Sequence, residues 1–265
     1  MTKRTIILLF FVLIFCSSKA QQNIPIKLCV IPEEAIKTHI NYSDEILILQ
    51  KGIIKKYNSS GLLMNTYGNL YIDEYTEIIS NNSFRTFLYC PNYGKIILLD
   101  KRFGEIDIID VFALNNILVG AVGISYDNEF LWLWDIGTQK LVKINQQGKV
   151  IFTTPNISQW TGTSLQVNTI QEIGTQLLLN DKSQGIFIFD NNGTYQKQLP
   201  IKDACSISKK EQLLVYNQEG KLMAYDQLSF STIEFTNAPN LYDISVGKNI
   251  LCGTNADNEV EVWQY

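Results

Sequence analysis

Few side chains in this sequence have the types and spacing that catalysis would need. His39 is the only histidine, and no Gly-Xaa-Ser-Xaa-Gly motif occurs, so a Ser/His/Asp triad is not expected. No cysteines have Cys-Xaa-Xaa-Cys spacing, which argues against zinc or copper sites built from thiolate and imidazole. Asp73, Glu74 and Glu77 could act as a general acid and base, although a solvated loop accounts equally well for these charges.

Aromatic side chains in two long segments are stronger candidates for binding. Residues 67–75 contain Tyr67, Tyr71 and Tyr75, and the second segment contains Trp160. Tyrosine and tryptophan combine a large, rigid contact area with a polar group, and they are common in binding hot spots. We predict that these four residues bind a partner. The alternative is that they hold the long segments against the body of the protein.

The elements that position these residues are predicted by a repeated phrase of an apolar strand, a turn and a second strand. The turn glycines Gly61, Gly104, Gly148 and Gly193 are spaced 43, 44 and 45 residues apart. A period of roughly 40 to 50 residues with hairpins inside each unit is typical of β-propeller blades. In each turn we expect the preceding Asp or Asn to bond its own backbone and the glycine to supply a positive φ.

Strand counting predicts one all-β domain, a six-bladed β-propeller of four-stranded antiparallel blades. Five complete blades are predicted over residues 35–67, 76–111, 116–154, 168–199 and 204–236. The segment 241–265 supplies only three strands, whereas the apolar segment 24–30 has no place in the first blade. We therefore predict that this N-terminal strand completes the last blade and closes the ring, which removes an open sheet edge.

The phrases KIILLDKRFGEI, KLVKINQQGKVI and GIFIFDNNGTY resemble the blades of six-bladed propellers of the NHL and TolB-like type. The resemblance covers nearly all of the chain after residue 20, and it concerns fold rather than activity. Lactonase-type propeller enzymes, similar in fold only, hold a divalent cation in the central channel with Glu, Asn and Asp. The predicted innermost strands and their entries offer Glu77, Asn116, Glu172, Asp203 and Asp243, none of them within a recognisable family motif.

A structural role at turns or toward channel water is the alternative for these five residues. Asp203 and Asp243 occupy matching places in two blades, so we expect them to face the same mouth of the channel. Loosely bound calcium is compatible with carboxylate and carbonyl oxygens. We expect no other cofactor and assign no metal ligand.

Residues 1–20 are predicted to be a signal peptide. Lys3 and Arg4 precede an apolar run of twelve residues, and small residues precede a cleavage site after Ala20. The run is shorter than the roughly 20 residues that a membrane span needs. Residues 21–265 would then form the exported propeller domain.

Lipidation at Cys16 is the alternative processing route. Cys-Ser-Ser after an apolar run is similar to a bacterial lipoprotein signal, although Phe15 stands where a small residue is usual. Either route places the protein in the periplasm or outside the cell, and a lipid would attach it to the outer membrane.

Charge and cysteine content limit the classes of partner. Removal of residues 1–20 leaves 22 − 3 = 19 basic residues against 26 acidic ones, a net charge near −7, which disfavours nucleic acid. Cys29, Cys90, Cys205 and Cys252 remain. Their even number permits two disulfides, but they are scattered on apolar strands, so we expect buried free thiols.

These observations favour an exported, non-enzymatic propeller that binds a protein partner through loops on one face, in a cell-envelope assembly. The scarcity of catalytic motifs is what disfavours an enzyme. A metal-dependent lactonase or hydrolase is the first alternative, and carbohydrate or peptidoglycan binding through the aromatic loops is the second.

Overall fold

The structure, a computed structural model, describes residues 25–114, 117–235 and 238–265. Its strands form six sheets of four antiparallel strands. After β1 (Ile26–Ile31), blade one consists of β2 (Lys37–Ile40), β3 (Ile46–Gln50), β4 (Ile53–Tyr57) and β5 (Leu63–Gly68). Blade two consists of β6 (Glu77–Asn82), β7 (Arg85–Cys90), β8 (Lys95–Asp100) and β9 (Glu105–Asp110). Blade three consists of β10 (Val119–Ile124), β11 (Phe130–Asp135), β12 (Lys140–Asn145) and β13 (Val150–Thr153).

The second half of the ring repeats this order. Blade four consists of β14 (Thr169–Ile173), β15 (Gln176–Asp181), β16 (Gly185–Asp190) and β17 (Tyr195–Leu199). Blade five consists of β18 (Ala204–Lys210), β19 (Leu213–Gln218), β20 (Lys221–Asp226) and β21 (Ser231–Glu234). Blade six consists of β22 (Tyr242–Val246), β23 (Ile250–Thr254), β24 (Val260–Gln264) and β1. A single turn of helix, α1 (Ser158–Thr161), lies between blades three and four.

The N-terminal strand closes the ring. β1 pairs antiparallel with β24, with Ile31 opposite Val260 and Lys27 opposite Trp263. The predicted fold class and the predicted ring closure are therefore confirmed. The signal peptide and Cys16 lie outside the described residues. No helix in the described part of the chain is long and apolar enough to cross a membrane.

The second strand of each blade has a mostly apolar centre because neighbouring blades cover both of its faces. In β11, Leu131 and Leu133 pack in the hydrophobic cluster with blade two, whereas Trp132 and Trp134 pack in the cluster with blade four. Side chains alternate between the two faces of a strand, so a strand between two blades needs apolar residues at consecutive positions. The core therefore lies between the blades, around the ring.

The outer hairpin turns share one hydrogen-bond pattern. A side-chain oxygen accepts from the backbone N–H groups two and four residues later at Asn58, Asp100, Asn145 and Asp190. This local bond holds the chain in the turn. The residue three positions later has a positive φ at Gly61, Phe103, Gly148 and Gly193.

The prediction that Gly104 supplies the positive φ of its turn is therefore wrong. Phe103 occupies the left-handed position with a φ of 63°. A residue with a Cβ is disfavoured there, but the Phe103 ring is buried and lies 4.9 Å from the Lys56 ammonium. Burial of the ring offsets the backbone cost, which the sequence pattern did not indicate.

The turn of blade five offers a test of that backbone cost. Phe230 has a φ of 57° and is 69% exposed, so it gains little from packing. We expect Phe230→Gly to raise the free energy of unfolding by about 0.5–1 kcal/mol, because a Cβ is unfavourable in the left-handed region. Denaturant titration measures the change. Phe230→Ala, which keeps the Cβ, should bring no gain, and equal effects of both substitutions would contradict the argument.

The cysteines are free thiols in the described structure. Cys90 and Cys252 are buried, and burial raises the pKa of Cys90 to about 11 and that of Cys252 to about 12. Cys29 is half-buried. The expectation of a buried thiol is wrong for Cys205, which is exposed because it lies on an innermost strand that no further sheet covers.

Candidate functional site

One face of the ring carries the connections between blades together with the second hairpin turn of each blade. Backbone hydrogen bonds join the two kinds of segment: Val111 N–H donates to the Gly94 carbonyl over 2.7 Å, and Ile157 N–H donates to the Gln139 carbonyl over 2.8 Å. We call this the connection face. The first and third hairpin turns of each blade lie on the opposite face.

Both long aromatic segments lie on the connection face, since each joins an outermost strand to the next innermost strand. Trp160 lies on α1 and is 40% exposed. Tyr75 is exposed in the connection between blades one and two. These two side chains are available to a partner, and their role in binding stays a prediction.

Tyr67 and Tyr71 have a different environment. Tyr67 belongs to β5 rather than to a loop, and both residues pack against the hydrophobic cluster between blades one and two. The Tyr67 hydroxyl donates to the Glu105 carboxylate, and burial together with this bond raises the pKa of Tyr67. The Tyr71 ring lies 5.5 Å from the Tyr93 ring. These contacts support the alternative that both tyrosines hold the connection in place.

The connection face also carries exposed apolar side chains in blades two and three that the sequence analysis missed. They are Tyr93, Phe112, Leu118 and Ile136, and we call this set the apolar sector. The Phe112 ring lies against Gly94, where a Cβ would be only 2.5 Å from it. Ile136 N–H donates to the Leu118 carbonyl over 2.9 Å, which joins the turn of blade three to the connection before it.

The segments that form the apolar sector, and the connection between blades three and four that follows them, contain no charged residue. Asp, Glu, Lys and Arg are absent from residues 91–94, 111–118, 136–139 and 154–168. Most other segments of the same face carry charges: 32–36, 51–52, 69–76, 182–184, 200–203, 219–220 and 255–259. Depletion of charge is typical of the core of a protein interface. In the sequence, the apolar sector could have been recognised from apolar residues in short turns, where polar residues are usual.

The carboxylates implied as channel metal ligands do not converge. Glu77 pairs with Lys37 over 2.7 Å. The buried Glu172 carboxyl accepts from Trp132 Nε1 over 2.6 Å, in the space between two blades. Asn116 lies outside the described residues. Among the described residues, no three His, Cys, Asp or Glu side chains are grouped as a metal site, so the residues present do not fit the lactonase arrangement.

Asp203 and Asp243 lie level with each other at the mouth of the channel on the connection face. Val246 N–H donates to Ser206 Oγ over 2.9 Å. Asp203 lies three residues before Ser206, and Asp243 lies three residues before Val246. Both aspartates are exposed and have positive φ angles of 55° and 47°. Loose calcium binding there stays a prediction.

His39 and Tyr42 occupy the channel side of blade one. His39 Nε2 lies 2.9 Å from the Ser80 carbonyl, which can only accept, so this nitrogen carries the hydrogen. Burial lowers the pKa of His39 and keeps its ring neutral. The Tyr42 hydroxyl reaches Gln171 Nε2 of blade four over 3.3 Å, across the ring. The Tyr42 side chain therefore reaches across the channel at this level.

Comparisons with known proteins support the fold. No protein-family model matches the sequence, and no curated protein matches it. Similar solved structures include BamB from Moraxella catarrhalis, with 11% identity and a TM-score of 0.54 over 91% of this chain and 98% of that one. Streptogramin B lyase has 13% identity and a TM-score of 0.57 over 91% and 86% of the two chains. The Cps50 (Swd1) β-propeller domain of Myceliophteria thermophila has 11% identity and a TM-score of 0.61 over 91% and 99%.

At these low sequence identities, the comparisons show a similarity of fold alone. Assignment to the NHL or TolB-like type of six-bladed propeller stays a prediction. The absence of enzymatic activity also stays a prediction, since one of the similar structures is a lyase by name.

Proposed function

We propose that the protein is an exported, non-enzymatic β-propeller that binds a protein partner through its connection face, in a cell-envelope assembly. The observation that carries the proposal is the uncharged apolar sector, where Phe112 is 73% exposed. A monomeric protein rarely leaves adjoining large apolar side chains in water unless they serve an interaction.

The geometry of the apolar sector supports binding because its most exposed side chain is held in place before a partner arrives. Gly94 lets the Phe112 ring lie on the backbone, since an added Cβ would be 2.5 Å from the ring. Side chains that are already ordered lose less entropy on binding. The sector therefore has the properties of a hot spot.

The enzyme alternatives are less well supported by the same structure. His39, Glu77 and Glu172 bind three different partners, the Ser80 carbonyl, Lys37 and Trp132, rather than one another. Only Asp203 and Asp243 lie level at the channel mouth, and they belong to no group of three His, Cys, Asp or Glu side chains among the described residues.

Carbohydrate binding near Trp160 is also less well supported. Sugar recognition would need free amide and hydroxyl groups around the indole. Gln139 Nε2 instead donates to the Leu165 carbonyl over 3.3 Å, and Gln184 Nε2 donates to the Ser164 carbonyl over 2.8 Å. The side-chain amides of Gln139 and Gln184 therefore hold the loop itself.

The test compares two exposed phenylalanines on opposite faces. Phe112 lies on the connection face, whereas Phe84 is 68% exposed in a first hairpin turn on the opposite face. We expect Phe112→Ser to reduce crosslinking to the partner in the native host at least about tenfold, as expected for a hot-spot residue. Phe84→Ser should leave it unchanged. Quantitative mass spectrometry of the crosslinked products measures both.

Loss of crosslinking in both variants to the same extent would indicate misfolding or a different surface, and circular dichroism separates the two. Absence of any crosslinked protein with the wild type would remove the support for protein binding, and hydrolytic assays would then take priority.

A further inference from the structure

Trp134 carries a hydrogen-bond donor that nothing in the described structure satisfies. Its side chain is fully buried, and Nε1 has no partner. Buried polar groups are nearly always hydrogen-bonded, because an unpaired donor loses its bond to water without compensation. By contrast, Trp132, two residues earlier on the same strand, donates to Glu172. Trp134 Nε1 is one of six buried side-chain N or O atoms without a partner in the described structure, and it is available to an acceptor from outside the chain.

The position of Trp134 places this donor beneath the apolar sector. Trp134 lies at the end of β11 nearest the connection face, one residue before the end of the strand. Its Cδ1, bonded to Nε1, is 3.4 Å from the point that a Cβ on Gly120 would occupy, and Ile136 Cδ1 is 2.5 Å from the same point. The exposed Ile136 side chain and the pyrrole edge of Trp134 thus both lie close to the same point above Gly120.

The border of the apolar sector on the blade-two side is acidic. Asp73 accepts from Asn92 Nδ2 over 2.8 Å, which places this carboxylate beside Tyr93. Glu74 is exposed, and neither carboxylate is in an ion pair within the described structure. Asp110 nearby is already paired with Lys95 over 2.8 Å. Charge complementarity therefore favours a partner with a basic residue at this border.

We propose that the occupant is an extended protein segment, apolar at its centre and basic at one end. Its apolar side chains cover Phe112 and Leu118, and its basic residue pairs with Asp73 and Glu74. One of its main-chain carbonyls accepts from Trp134 Nε1 after the Ile136 side chain moves aside. A polypeptide supplies such carbonyl acceptors along an otherwise apolar surface. This inference rests on the proposed function and names the class of partner.

The test uses a displayed library of random short peptides selected against the wild-type protein lacking residues 1–20. We expect the selected peptides to combine apolar residues with Lys or Arg, and their binding to be lost in Phe112→Ser. Trp134→Phe should weaken binding about tenfold, the effect of one lost hydrogen bond. Glu74→Lys should weaken it roughly threefold at low salt. Trp263→Phe on blade six and Glu211→Lys on the opposite face are matched controls that should bind as wild type does.

Nitrogen-15 NMR distinguishes a binding role of Trp134 from a purely structural one, because only a binding role would shift the indole N–H signal when a peptide is added. The indole N–H signal that disappears in Trp134→Phe should shift downfield when a selected peptide is added, as a new hydrogen bond forms. Peptides that need Phe112 but leave this signal in place, and that bind Trp134→Phe with wild-type affinity, would overturn the inference and leave the proposed function standing. Failure to select any peptide whose binding depends on Phe112 would count against both this inference and the proposed function.

Discussion

Ile31→Asp is expected to prevent formation of the closed ring, because it places a charge where the last blade meets the first. Ile31 is 1% exposed and packs with residues of blades one and six. An unpaired carboxylate in such a site costs several kcal/mol, comparable with the whole stability of a domain. Circular dichroism and size-exclusion chromatography should show an unfolded or aggregated protein, since loss of β1 exposes the edge of β24.

The neighbouring residue is the control. Val30 is 39% exposed and its side chain points away from the core, so Val30→Asp should lower the free energy of unfolding by less than about 1 kcal/mol. If the Ile31→Asp variant does not fold, Ile31→Ala still allows the contribution of position 31 to the free energy of unfolding to be measured. Its expected cost is about 2–4 kcal/mol in denaturant titration. Equal effects at positions 30 and 31 would show that β1 does not close the ring.

Trp132→Phe is expected to lower the free energy of unfolding by about 3–4 kcal/mol. The substitution removes buried ring atoms and leaves the buried Glu172 carboxyl without its hydrogen-bond donor. The lost volume costs about 1–2 kcal/mol, and the unpaired carboxyl adds about 1.5–3 kcal/mol. Denaturant titration measures the sum.

Trp134→Phe is the matched control because the chemical change is the same on the same strand. Trp134 Nε1 has no partner in the described structure, so only the packing loss is expected. The two variants should therefore differ by about 2 kcal/mol. The double variant Trp132→Phe/Glu172→Met, which removes both partners of the bond, should recover most of that difference. Equal costs for the two single variants would contradict the role of Glu172.

Local features of the fold were predictable because hairpins are encoded by residues near one another in the chain. The apolar runs of β8, β11 and β16 and the turn residues that follow them mark strands and turns directly. Ring closure by β1 followed from counting strands, since a blade that lacks one strand needs another from elsewhere in the chain.

The site was less predictable because it depends on contacts between blades. Tyr67 and Trp160 looked alike as aromatic residues in long segments, yet Tyr67 is half-buried in a strand and Trp160 is exposed on α1. The same holds for Cys205, which shares an apolar context with Cys252 but not its burial. No local pattern distinguishes such cases, because the covering atoms come from other blades.

The amino-acid sequence by itself thus determined the number of blades, the place of the closing strand and the chemistry available on the connection face. These properties depend on strand periodicity and turn residues, which act over a few neighbouring positions. Only the tertiary structure decided that Phe112 and Ile136 both belong to the apolar sector and that Trp132 has an acceptor whereas Trp134 has none. Phe112 and Ile136 are 24 positions apart and Trp132 and Glu172 are 40 positions apart, and such pairings arise from packing between blades.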